Sequence, residues 1–266
     1  MRTSCGPTWV GLAWASLPVL GVLVVLAARG LGQVRPLTIA LMRLVVQLWL
    51  LGMVLGWVFE VRNPWLIGAI ALGMLAASAH AVASRQVRDT WGLRLEAFGS
   101  IVIGSAIVMA VTLRLALRLE PWYEPRTVVP LLGMVLGNSV SGVALAAERL
   151  ESELRAERDR VELRLALGAT ARQAALPALR AAVRAALTPT INNMMIAGIV
   201  SIPGMMTGQL LAGADVATAL RYQILVYLAI EGTVGISTLI LLWLRLRRYF
   251  TAAHQLRAEA LDQAGA

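Results

Sequence analysis

Thioether sulfurs and amide oxygens gather in one stretch, Thr188 to Asp215, which reads TPTINNMMIAGIVSIPGMMTGQLLAGAD. Within it stand Asn192, Asn193, Met194, Met195, Pro203, Gly204, Met205, Met206, Thr207, Gly208 and Gln209. Methionine sulfur is a soft ligand that suits Cu(I) or haem rather than hard cations, whereas asparagine and glutamine offer neutral carbonyl oxygens. The same methionines also serve as flexible fillers of apolar interfaces, and Asn193 as a hydrogen-bond former between helices. The metal ligands are therefore left unknown. Three polar residues fall inside other apolar runs. Arg43 and Gln47 lie four apart on one helical face, and Glu231 lies in the last run. Charges at membrane depth either pair, line a path or reach an interface, and an Arg43–Glu231 pair is one expectation.

Other chemistry is excluded by composition. All 24 basic residues are arginine. A phosphate-binding loop of the Walker type needs a lysine, so ATP could drive this chain only through a separate subunit. The two histidines, His80 and His254, form no HExxH motif, and Cys5 is the sole cysteine, so intrachain disulfides and multi-cysteine metal sites are impossible. No catalytic residue is assigned and no cofactor is expected on this chain.

These residues must be positioned by membrane helices. With 58% hydrophobic residues over 266 positions and a mean hydropathy of +0.72, the class is an all-α polytopic membrane protein. Seven spans are expected: Trp9–Ala28, Leu37–Phe59, Trp65–Ala83, Phe98–Leu117, Val128–Ala147, Leu187–Thr207 and Ile224–Leu244. They form one domain over residues 1–250, followed by a cytoplasmic tail, 251–266, whose stretch HQLRAEALDQAGA reads as a fraying end. Seventeen of the 24 arginines lie in the loops after spans one, three and five and in the tail, among them Arg85 and Arg88; Arg2 and Arg62 lie opposite. The excess puts the N-terminus outside and the C-terminus in the cytoplasm of a cell inner membrane. It also explains the net charge of +9 without nucleic acid. Trp122 and Tyr123 suit an interfacial belt in an outer loop.

Thr188-Pro189 reads as a helix start and Pro203-Gly204 as its end, a helix too short to cross alone, which suggests an interrupted helix lining a path or a kinked packing helix. The one large hydrophilic segment is 148–184. Leu150, Leu154, Val161 and Leu165 share a helical face there, extending the fifth span. Gly168 fits a helix C-terminal glycine, and Thr170 with Gln173 a capping box, so LALGATARQ reads as helix, turn, helix. Without a partner this would be only a solvated hairpin. Three GxxxG pairs, Gly52–Gly56, Gly133–Gly137 and Gly204–Gly208, support close helix packing.

The segments WYEPRTVVPLLGMVLGNSVSG, LALGAT and NNMMIAGIVSIPGMMTGQLLAGAD, with RYQI after them, closely resemble the membrane subunit of the iron-export ABC transporter family, to which plant aluminium-sensitivity and aluminium-tolerance permeases belong. The likeness runs from the Arg43–Gln47 span to Tyr249. It implies a non-catalytic permease, paired as a homodimer in the lipid bilayer with a cytoplasmic ABC ATPase that holds ATP and Mg. It further implies export of iron or another metal, or of a metal-linked small molecule. Glu162, Leu167, Gly168, Ala169 and Thr170 then resemble the coupling helix that docks on the ATPase, and Asn192–Gly213 the substrate path. Val216 departs from the family's proline after Gly-Ala-Asp, and Val140 from a common methionine. The alternatives from the residues themselves are an ATP-independent carrier or channel using Glu231 and Arg43, and a membrane scaffold or sensor.

Overall fold

The computed structural model describes residues 8–61, 63–83 and 91–257. Cys5, Arg2, Arg62, Arg85, Arg88 and the tail beyond residue 257 lie outside the described residues. The described chain is helical, its only strand-like pairings being two isolated bridges. It divides into two compact units, 1–61 and 62–266.

The first unit holds α1 (Trp9–Ala28) and α2 (Val34–Val61). Thr8 starts α1, its hydroxyl accepting from the Gly11 N–H at 3.1 Å. Gly30, at φ +62, ends it, with Leu31 N–H donating to Leu26 O and Gly30 N–H to Ala27 O. That pair of bonds is a Schellman motif, open to glycine because the left-handed conformation penalises a Cβ.

The second unit comprises α3 (Pro64–Ala83), α4 (Trp91–Ala110) with a π-helical continuation Val111–Ala116, α5 (Pro125–Ala156), α6 (Arg158–Ala166), α7 (Ala171–Ala174), α8 (Leu176–Ile196), α9 (Gly204–Leu211) and α10 (Val216–Tyr249). Helix α5 is its centre. It packs on α3, α4, α8 and α10, and 61% of its apolar window is buried, against 22% for α3. At 32 residues it is about 48 Å long, which exceeds a ~30 Å hydrocarbon layer. Its final turns must therefore stand outside the bilayer, as the charges from Glu148 onward require.

Six helices among the described residues are long and apolar enough to cross a membrane: α1, α2, α3, α4 with its continuation, α5 and α10. The expected sixth span, Leu187–Thr207, is not one helix. Its first part belongs to α8, its last to α9, and Ala197–Pro203 lies between. Thr188-Pro189 does not open a helix either. Helix α8 begins at Leu176 with Pro177 in its first turn, and Pro189 lies inside it. Proline removes only one intrahelical bond, and packing of α8 on α5 and α10 outweighs that loss. The Thr188 hydroxyl donates back to Arg184 O at 2.6 Å instead of capping. Pro203 likewise starts α9 as its N-cap and does not stop a helix. The true stop is Gly198, at φ +80, whose N–H donates to Ser201 O at 2.8 Å and turns the chain back on itself.

The closest helix approaches are not at the GxxxG pairs. A Cβ on Gly142 would lie 2.6 Å from Val234 Cγ1 and 3.2 Å from Ala186 O, and one on Gly104 would lie 3.0 Å from the Ser237 backbone nitrogen. Around Gly137, Gly204 and Gly208 there is open space. The pattern cannot say which glycine meets a neighbour, because that depends on where helices cross.

Candidate functional site

Apart from Arg43 and Gln47, the expected site residues lie in two regions of the second unit. The first is the hydrophilic hairpin. Helix α5 ends at Ala156, and α6 continues its apolar stripe, with Leu150, Leu154 and Val161 buried and Leu165 packed against the same cluster as Ala174, Ala178 and Ala182 of α7 and α8. The turn is closed on both sides. Gly168, at φ +91, donates to Leu165 O and Ala169 to Arg164 O, a complete Schellman motif. Thr170 and Gln173 then form a reciprocal capping box that opens α7. Across the turn, the Arg164 guanidinium donates to Ala174 O at 3.1 Å. Ala169 faces the cluster, while Glu162, Leu167, Gly168 and Thr170 project outward, and Leu167 is 79% exposed. An exposed leucine on a doubly capped turn is an apolar knob on a rigid mount.

The residues after α10 are not a frayed end as far as Arg257. Thr251 N–H donates to Gln255 O, Arg257 N–H donates to Tyr249 O, and Phe250 and Leu256 form a bridge. His254 accepts from the Ala171 N–H at 3.3 Å, at the start of α7. Sequence reading misses this because a short polar tail carries no periodicity, and its order comes entirely from the hairpin it lies on.

Beneath the hairpin lies a buried ion cluster that patterning also misses. The Arg245 side chain is 1% exposed and pairs with Glu96 at 3.0 Å, while Arg248 donates to the other Glu96 oxygen at 2.6 Å. Arg245 further donates to the Tyr249 hydroxyl at 3.2 Å. The cluster ties the start of α4 to the end of α10, beside the Leu150–Leu154 seam into which Tyr249 also packs. Glu96 thus accepts a hydrogen bond from Arg248 and stands in charge contact with Arg245, so neither it nor the buried Arg245 is left as an uncompensated charge. Glu96 and Arg245 lie 149 residues apart in sequence, at opposite edges of two apolar runs, so spacing cannot reveal them.

The second region is the Asn192–Gln209 segment, which the structure divides between two cavities. A small one is lined by Asn138, Thr190, Asn193, Met194, Tyr227 and Ile230. A larger one, about 320 Å³, takes Met134, Met205, Gln209, Thr218 and Tyr222 among its walls. Met134 and Asn138 lie one turn apart on α5, joined by a 2.8 Å bond from the Asn138 amide to Met134 O, so both cavities open on one α5 face. The Gln209 side-chain oxygen in this wall is buried and has no hydrogen-bond partner among the described residues. Asn192 and Met195 are exposed, as are Gly204, Thr207 and Gly208. Pro203 caps α9, and Met206 donates its N–H to Gln223 Oε1 at 3.3 Å. Past Asn138, α5 comes into close contact with α10 and α8 at Gly142, against Val234 and Ala186.

Among the described residues no cluster of three His, Cys, Asp or Glu could hold a metal ion. The donors on these walls are thioethers, amides, hydroxyls and phenols, which are neutral. Two charges stand by these walls: Arg126 lines the larger cavity, and Glu231, beside the small one, accepts a short hydrogen bond from the Thr190 hydroxyl within its own unit. Arg43 and Gln47 stand on α2 of the first unit. Thr190, Met134, Asn138, Tyr222 and Tyr227 were not singled out from sequence. The Met134–Asn138 spacing, four apart within an apolar run, was the one available signal.

The profile of the Uncharacterised protein family (UPF0014) matches residues 9–250, and the chain belongs to this family. A UPF0014 membrane protein of Synechocystis is 37% identical over 255 residues, covering 93% of this chain and 96% of that one. "Probable iron export permease protein FetB" of Escherichia coli is 33% identical over 216 residues, 80% of this chain and 81% of FetB. "Protein ALUMINUM SENSITIVE 3" of Arabidopsis thaliana is 30% identical over 218 residues, 82% of this chain and 78% of that protein. No solved structure matches at comparable significance. The chain is a multi-pass membrane protein whose relatives include a permease.

Proposed function

We propose that this chain is the permease subunit of an ABC exporter, two copies working with two cytoplasmic ATPases, and that its cargo is iron, another metal ion or a metal-linked small molecule. The carrying observation is the hairpin tip, with the exposed Leu167 held on the Gly168–Thr170 turn above a buried seam continuous with α5. Such a knob transmits a push only if its mount does not yield, and the paired caps and the Arg164–Ala174 staple meet that need. Closure of an ATP-bound ATPase pair moves the two hairpins, and the seam carries that motion into α5 and α8. Separation of α8 from Gly142 and Val234 then opens the face on which both cavities lie. ATP drives this switch only to the extent that it binds the closed pair more tightly. Neutral, mixed donors suit a cargo that must be bound and then released, and Arg126 on the larger cavity suits one that also carries an anionic group. The FetB relationship supports the cargo class. Under this reading the arginine-rich side is cytoplasmic.

The test is affinity purification of the full-length tagged chain from native membranes, with ATPase assays on what accompanies it. The proposal expects a co-purifying ATPase that Leu167→Arg releases while the permease remains inserted. A chain that purifies alone where other ABC complexes survive, or an ATPase retained fully by Leu167→Arg, overturns it. A second reading rests on the Thr190–Glu231 contact beside the small cavity, which suits an ATP-independent carrier. In that case transport by the chain alone persists in reconstituted vesicles and is lost in Glu231→Gln.

A further inference from the structure

A groove between α8 and α10 lies on the flank of the hairpin's cluster, with Leu242 of that cluster in its floor. It encloses about 640 Å³. Its floor is apolar, with Leu179, Val183, Leu239, Leu242, Trp243 and Leu246, and three guanidiniums, Arg172, Arg180 and Arg184, stand along one edge. All three are exposed, and none is ion-paired with a carboxylate among the described residues. Helix α8 contains no acidic residue at all. Arg180 and Arg184 lie one turn apart, a repulsive spacing unless an anion sits between them. The level of this edge is marked independently. Trp243 is half exposed on the outer side of α10, with Arg247 stacked over its ring at 3.8 Å, the pairing of amphipathic side chains found where hydrocarbon meets headgroups. The groove therefore has a cationic rim at headgroup depth and an apolar floor running from it along a membrane-crossing helix.

We propose that this groove is a binding site for one anionic phospholipid, its phosphate on Arg180 and Arg184 with Arg172 above, and its acyl chain on Val183, Leu239 and Trp243. Charge complementarity selects this occupant. A zwitterionic lipid would bring an ammonium to a rim that already carries three positive charges, and an apolar peptide would leave the guanidiniums unanswered. Basic pockets between membrane helices recognise lipid phosphates in this way.

Native mass spectrometry of the full-length chain in mild detergent, titrated with dioleoyl phosphatidylglycerol or dioleoyl phosphatidylcholine, tests the site. The expected result is one phosphatidylglycerol retained per chain, preferred at least tenfold over phosphatidylcholine. Arg180→Gln/Arg184→Gln should weaken it about thirty-fold, from two contacts of about fivefold each. Arg180→Lys/Arg184→Lys should restore most of the binding, which separates charge from misfolding. Val183→Trp, which fills the floor and leaves the arginines in place, should also lower retention. Arg180 and Arg184 also line the α5–α8 cleft, together with Arg149; Arg149→Gln should leave retention unchanged, and a loss as large as that of Arg180→Gln/Arg184→Gln would put the phosphate in that cleft and overturn the proposal. Equal retention of the two lipids, displacement of phosphatidylglycerol by millimolar inorganic phosphate, or indifference to Val183→Trp would each overturn the proposal. So would efficient Leu179→Cys cross-linking between two copies in membranes, which would make the groove an interface.

Discussion

Helix α8 ends in two different ways. At Leu176 it grows out of a turn fixed by a Schellman glycine, a capping box and a cluster in which Ala174, Ala175 and Ala178 are buried. At Ile196 it gives way to a reversal at Gly198, and the residues there, Ile199 and Val200, are 85% and 78% exposed. Both turns use a glycine at positive φ, and a Cβ at either would meet open space. Local backbone chemistry is thus similar at the two ends. What differs is the tertiary support beneath. A turn with a core under it can pass on force, whereas one without a core can change shape cheaply, which suits the cavity-lining end.

The sharpest way to break this comparison is to remove the anchor beneath the supported end. Glu96→Gln leaves Arg245 buried without its carboxylate and should cost about 3–5 kcal/mol. Thermal unfolding in detergent measures it, and a loss below about 1 kcal/mol would mean that the hairpin does not stand on this cluster. Next, Leu154→Ala should cost about 2–5 kcal/mol, because it empties a fully buried position in the seam, while Ile199→Ala at the other end should stay within about 0.5 kcal/mol. Equal losses would erase the distinction between the two ends. Gly168→Leu and Gly198→Leu should each cost about 1–2 kcal/mol through the left-handed conformation alone. Their transport effects should diverge, since Gly168→Leu uncouples ATP hydrolysis from flux and Gly198→Leu alters cargo affinity with coupling intact. The smallest effect is Thr170→Ala, which removes one half of the capping box and should lower stability by about 1 kcal/mol. Protease cleavage at the hairpin tip, faster in the variant, would report it locally.

Much of the supported end was legible because its determinants are neighbours in sequence. The leucine stripe repeats at helical spacing, Gly168 follows the last periodic residue, and Gln173 stands three after Thr170. The other end was misread for the converse reason. Thr188-Pro189 carries the same start signal as a true N-terminus, but packing of α8 against α5 and α10 carries the helix through it. Pro203-Gly204 was seen as a stop when it opens α9, since proline suits either side of a break. The methionines and amides were found as a group, yet only Asn193, Met194, Met205 and Gln209 face the cavities. Their partners Met134, Asn138, Tyr222 and Tyr227 come from α5 and α10, which periodicity shows only as apolar.

The sequence by itself determined the all-helical membrane class, six of the apolar spans, the family and the chemistry of the hairpin turn. Each of these follows from composition or from spacings of a few residues, within which backbone hydrogen bonding and side-chain facing are fixed. Only the tertiary structure decided that Glu96 meets Arg245, that His254 reaches Ala171, that Gly142 on α5 meets both α8 and α10, and that α8 breaks at Gly198. These depend on the rotation and crossing of helices far apart in the chain, set by how whole faces pack, and no local pattern encodes them.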